Sequence, residues 1–114
     1  MKHTKPIPTE IDVVGFLLPV KQTTQSAITR KMGRTETGEP YFGYLEPHRR
    51  IIVREDLPEQ KKWEVLIHEI GHEVQFIIAD LGLGECDLAL EAVHSLYHRL
   101  LTGVLLSNGL IGAA

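Results

Sequence analysis

Two histidines and a glutamate in the second half of the chain have the residue types and the spacing for metal chemistry. His68 and His72 are four residues apart, and Glu69 directly follows the first of them. On an α-helix, residues four apart lie about 40° apart around the axis and about 6 Å apart along it, so both imidazoles can reach one divalent cation. Glu69 then flanks that face, where its carboxylate can take a proton from a metal-activated water. The spacing therefore predicts a zinc site for hydrolysis, with Glu69 as general base.

The flanking residues predict that this motif lies within a long, partly buried helix. Residues 56–59 have the pattern of a helix start, with Asp56 as N-cap, and residues 81–84 have the pattern of a stop. Between them, apolar residues recur at three- and four-residue spacing: Trp63, Leu66, Ile67, Ile70, Val74, Ile77 and Ile78. We expect a helix of about 22 residues, with the motif semi-buried. Gly71 disfavours helix and indicates that another backbone element packs closely beside the ligands.

A catalytic zinc site usually has three protein ligands and one open position, so a third ligand is needed. A second helix is predicted from residue 88 to about residue 106, and Glu91 lies one turn inside it, 19 residues after His72. If the chain turns after the first helix and returns antiparallel, Glu91 lies opposite the two histidines. The alternative is a surface carboxylate that pairs with His94 or His98 at helical spacing.

Other polar residues near Glu91 allow further roles. His94 and His98 could orient a metal ligand or stabilise an oxyanion, although a partly exposed polar stripe explains them as well. Tyr97 could act in the same way, or pack in the core with its hydroxyl at a polar edge. Cys86, Asp87 or His94 as a fourth protein ligand would close the site and make the metal structural. A third alternative is that the chain binds no metal.

The first half of the sequence predicts β structure. Residues 10–20 are rich in branched and aromatic side chains, and residues 41–45 and 49–53 flank a short connection that is typical of a hairpin. Residues 23–40 are mostly polar, and we expect a loop or a weak hairpin there. The expected fold is therefore α+β: a small antiparallel sheet packed on two long helices, with residues 1–114 forming a single domain.

Composition and charge limit the classes of function. The hydrophobic content of 43% is ordinary for a globular domain, and no apolar run approaches the roughly 20 residues of a membrane span. Cys86 is the only cysteine, which fits a reducing cytoplasm. Residues 1–62 carry eleven basic and eight acidic side chains, a net of +3 that is too small to indicate nucleic-acid binding. Residues 63–114 carry one basic and seven acidic side chains, a net of −6, and four of the six histidines, which suits a divalent cation.

The pattern of His68, Glu69 and His72 followed by Glu91-Ala92 resembles the glutamate-ligand zincin metallopeptidases, the gluzincins in the broad sense. It is most similar to small phage and mobile-element metallopeptidases, including the class that cleaves repressors. The resemblance covers roughly residues 44–106 and implies a minimal zincin-like fold. It further implies Zn²⁺ bound by His68, His72 and Glu91, Glu69 as general base, and a peptide or protein substrate paired with a strand edge beside the helix. A second hypothesis is a non-catalytic, metal-stabilised binding or phage-related regulatory module.

Overall fold

The computed structural model describes residues 5–83 and 91–110, and it describes the side chains of residues 5–81 and 95–110. It confirms the α+β class. The elements in chain order are β1 (Glu10–Val13), β2 (Phe16–Thr23), α1 (Gln25–Met32), β3 (Gly43–Glu46), β4 (Arg50–Arg54), α2 (Glu59–Ile78), a π-helical turn (Ala79–Leu83) and α3 (Glu91–Ser107).

The four strands form one sheet in the order β1-β2-β4-β3. The predicted hairpin is confirmed, since β3 pairs antiparallel with β4 and Gly43 lies opposite Val53. β1 and β2 form a second antiparallel pair. β2 and β4 run parallel, with Val20 opposite Ile51, so the sheet is mixed rather than wholly antiparallel. This order leaves β3 as a terminal strand, next to the long helix.

The prediction of a loop or weak hairpin over residues 23–40 was wrong in part, because this segment contains α1. The Thr24 hydroxyl caps the helix by accepting a hydrogen bond from the Ala27 backbone N–H at 3.1 Å. Gly33 ends the helix with φ of 74°, a conformation that glycine adopts without steric cost. α1 provides the crossover that brings β4 parallel to β2, and its last residue, Met32, reaches the site described below.

The predicted long helix is confirmed as α2, although its start differs from the expectation. Asp56 is not the N-cap: its carboxylate pairs with Arg54 at 2.6 Å, and α2 begins after Pro58 with no side-chain cap. The apolar face of α2 is buried against the inner face of the sheet; the helix contributes Val65, Leu66, Ile70, Val74, Ile77 and Ile78, and the sheet contributes Ile11, Val13, Leu18, Val20, Ile51 and Val53.

Helix α3 packs on α2 and closes the core with Val104. The Tyr97 hydroxyl lies 2.7 Å from the point where a Cβ on Gly71 would stand. Gly71 therefore allows close packing, as expected, but the group it admits is a side chain rather than backbone. At its other end α3 is tied to β1, because the Asn108 side chain bonds both the N–H and the carbonyl of Asp12. In the part of the chain that the structure describes, no helix is long and apolar enough to cross a membrane.

Candidate metal centre on helix α2

His68 and His72 project from the same face of α2 and meet through the same ring nitrogen. Their Nε2 atoms are 2.9 Å apart, and the rings stand edge to face with centroids 4.5 Å apart. Zinc binds imidazole nitrogen at about 2.0–2.1 Å, so two nitrogens that converge in this way fit half of a zinc donor set. Both side chains are exposed, which corrects the expectation that the motif as a whole is semi-buried.

The second ring nitrogen of His72 has a partner of its own. Nδ1 lies 3.1 Å from Oε1 of Gln75, one helical turn further along α2. An amide oxygen only accepts hydrogen bonds, so in a neutral imidazole this contact places the proton on Nδ1 and the lone pair on Nε2. Gln75 was not predicted from the sequence, although its three-residue spacing from His72 was an available signal.

Glu69 is the buried member of the motif, with only 8% of its surface exposed. Desolvation by burial raises the pKa of its carboxyl, and the electrostatic interaction with His68 and His72 lowers it by a smaller amount. A carboxylate with a raised pKa is a better proton acceptor near neutral pH than a fully solvated one. The three residues of the motif therefore differ in burial: the imidazoles of His68 and His72 are exposed, and the carboxylate of Glu69 beside them is buried.

A groove runs between α2 and the terminal strand β3, and it contains His68 and Glu69. It consists of two depressions, of about 420 and about 270 Å³, which share Tyr41, Gly43, His68 and Glu69. Gly43 makes this close approach possible, since a Cβ there would stand 2.4 Å from the Ile52 carbonyl oxygen and 2.8 Å from Val65 Cγ1. The larger depression continues to Lys61 and Glu64, and the smaller one continues past His72 to Met32, Leu45 and Phe76.

The predicted third ligand lies outside the described side chains. Glu91 is the first residue of α3, and its side chain, like those of Cys86, Asp87 and His94, is not among those that the structure describes. Among the side chains that it does describe, no three His, Cys, Asp or Glu converge as a metal site. Ligation by Glu91 therefore stays a prediction.

The two other candidates on α3 differ in where the structure places them. Tyr97 reaches α2 at Gly71, between the two histidines in sequence. His98 is exposed and lies edge-on to the Tyr97 ring, with centroids 5.5 Å apart. A role for either residue in orienting a ligand or stabilising an oxyanion stays a prediction.

A second histidine cluster, which sequence analysis missed, lies on another face of α2. His48 in the β3–β4 turn contacts the Glu73 carboxylate through Nδ1 and the Asp80 carboxylate through Nε2, each at 2.5 Å. Its backbone N–H also donates to Glu73 at 2.8 Å, and Phe16 stacks on its ring. Glu73 is completely buried, and its hydrogen bond is the main cause that raises the pKa of His48. We refer to His48, Glu73 and Asp80 as the His48 clamp.

No protein-family model, curated protein or solved structure matches this chain. The resemblance to zincins therefore rests on the motif and its spacing.

Proposed function

We propose that this protein is a zinc-dependent peptidase in which His68 and His72 bind the metal, Glu91 completes the ligand set and Glu69 is the general base. The observation that carries the proposal is the convergence of the two Nε2 atoms at 2.9 Å beside a buried carboxylate. Helical spacing alone does not force the Nε2 atoms of two exposed histidines to approach each other. A divalent cation gives a reason for this arrangement.

The chemistry divides between the metal and the chain. Zinc, when bound, supplies a Lewis acid and lowers the pKa of water toward about 7. Glu69 takes the proton of the attacking water and returns it to the leaving amine. The raised pKa of Glu69 supports this role, because a proton acceptor that must also donate works best when its pKa approaches the working pH.

The groove supports a peptide as the substrate. Its lining on α2 extends from Lys61 to Phe76, which at 1.5 Å per residue is about 22 Å. At about 3.3 Å per residue this length holds roughly seven residues of an extended chain. β3 is the terminal strand of the sheet and lines both depressions, so an extended segment could add to it by backbone hydrogen bonding. The scissile bond would then lie beside His68 and Glu69.

The test is the Glu69→Gln variant, with Glu55→Gln as the matched control on an exposed glutamate away from the groove. Cleavage of a peptide library is followed by mass spectrometry, and zinc content is measured on untagged protein. We expect Glu69→Gln to lower turnover by about 10²- to 10⁴-fold, the usual contribution of a general base, with zinc content unchanged. Lost zinc together with retained turnover would contradict these roles.

A second candidate function is a binding module that zinc stabilises without catalysis. The contact between Tyr97 and Gly71 favours it, because α3 already meets α2 beside the ligands, and a metal bound by both helices would hold them together. X-ray absorption distinguishes the two functions. A water in the fourth position supports the peptidase, and a fourth protein ligand supports the structural site.

A further inference from the structure

We infer that Gln75 is a positioning residue that holds His72 in the tautomer needed to bind the metal through Nε2. The inference rests on the metal site of the proposed function and adds a residue that lies outside the His-Glu-x-x-His pattern.

The hydrogen-bonding capacity of Gln75 and His72 limits where the proton of the imidazole can lie. Oε1 of Gln75 lies 3.1 Å from Nδ1 of His72 and can only accept, so the proton of a neutral imidazole resides on Nδ1. The Nε2 atom of His72 then carries a lone pair. His68 Nε2 faces it at 2.9 Å, so both nitrogens point to the position that a cation would occupy.

The location of Gln75 suits this task. It lies three residues after His72 on the same helix, where side chains are neighbours, and it is half-buried, whereas His72 is exposed. Without an acceptor at Nδ1, an exposed imidazole can rotate and exchange tautomers, and zinc binding would have to select one arrangement from several. Hydrogen-bond partners of ligand histidines typically contribute 10- to 100-fold to metal affinity for this reason.

The experiment measures zinc affinity by competition with a chromophoric chelator for three variants of the full chain. Gln75→Leu removes the acceptor, Gln75→Glu keeps an acceptor at the same place, and Gln60→Leu makes the same change at an exposed position near the start of α2. We expect Gln75→Leu to weaken zinc binding by about 10- to 100-fold. Gln75→Glu should bind zinc at least as tightly as the unaltered protein, and Gln60→Leu should bind it equally well.

A second measurement keeps the test informative if Gln75→Leu folds poorly. Nitrogen-15 NMR of the unaltered metal-free protein should show His72 protonated at Nδ1, and Gln75→Leu should show a mixture of tautomers. Three results would overturn the inference and leave the proposed function standing. They are a zinc affinity of Gln75→Leu equal to that of the unaltered protein, a zinc affinity of Gln75→Glu as weak as that expected for Gln75→Leu, and protonation of His72 at Nε2. Failure of the unaltered protein to bind zinc would overturn both.

Discussion

Glu69 and Glu73 of helix α2 belong to two groups of histidine contacts that differ in almost every physical respect. In the His48 clamp, both ring nitrogens face carboxylate oxygens at 2.5 Å, and the central glutamate is fully buried. In the motif, the imidazoles of His68 and His72 are exposed and face each other. Glu69 is buried beside them and has a raised pKa.

This difference indicates what each group does. The clamp satisfies the hydrogen-bonding capacity of its own ring, because a protonated His48 donates to Glu73 through Nδ1 and to Asp80 through Nε2. It connects the β3–β4 turn to α2 and to the π-helical turn, so its role is structural. In the motif, the Nε2 atoms of His68 and His72 face each other. The buried carboxylate of Glu69 flanks them and is not among the ion pairs described for the two rings. A cation would complete that arrangement.

The largest difference is expected for zinc binding. His72→Ala removes one of the two proposed histidine ligands, so zinc should fall from one per chain to well below stoichiometric. Because His72 is exposed, the free energy of unfolding of the metal-free protein should change by no more than about 0.5 kcal/mol. Metal analysis and urea unfolding measure the two effects. A His72→Ala protein that still binds one zinc ion per chain would contradict the metal-binding role that separates the motif from the His48 clamp.

His48→Ala is expected to lower the stability of the protein and to leave its zinc affinity unchanged. The change removes the partner of a fully buried carboxylate, which typically costs about 3 kcal/mol or more of stability. The backbone N–H of residue 48 still donates to Glu73 and limits the loss. Zinc affinity of the folded protein should stay the same. A variant that unfolds at the same urea concentration as the unaltered protein would show that the clamp contributes nothing.

The two groups should also respond to pH in opposite directions. The pKa of His48 is raised above its unfolded value of about 6.5, so its contribution to stability is complete below that pH and is lost as the pH rises through the folded pKa. The difference in unfolding free energy between the unaltered protein and His48→Ala should therefore narrow from pH 6 to pH 9. Zinc binding needs unprotonated ring nitrogens and should strengthen over the same range. A stability difference that widens with pH would contradict the assignment.

The smallest effect concerns the packing behind the motif. In Gly71→Ala the new Cβ would stand 2.7 Å from the Tyr97 hydroxyl. Alanine favours helix by about 1 kcal/mol and overpacking costs about 1–3 kcal/mol, so we expect a net loss of about 1 kcal/mol. Tyr97→Phe should relieve the clash in a double-mutant cycle.

Gly103→Ala on α3 is the matched control, because nothing lies within 4 Å of its Cβ position. It should stabilise the protein by about 1 kcal/mol. If Gly71→Ala and Gly103→Ala raised the free energy of unfolding equally, the Tyr97 hydroxyl would not restrict the space beside Gly71.

The sequence predicted the parts of this arrangement that depend on local periodicity. The motif, the long helix that carries it and the β3–β4 hairpin all follow from spacings within a few residues. The His48 clamp could not be predicted in this way, because His48 and Glu73 are 25 residues apart and meet only when the hairpin packs on α2. α1 was missed because its residues are mainly polar and only Ile28 is buried. Asp56 fits a capping pattern, yet Arg54 binds its carboxylate.

The most direct test is anomalous diffraction at the zinc edge from crystals of the metal-replete, untagged protein. The account predicts one zinc ion within about 2.0–2.1 Å of Nε2 of both His68 and His72, a carboxylate oxygen of Glu91 as third ligand and one position left to solvent. Zinc bound elsewhere, or a Glu91 side chain directed away from the two imidazoles, would contradict it.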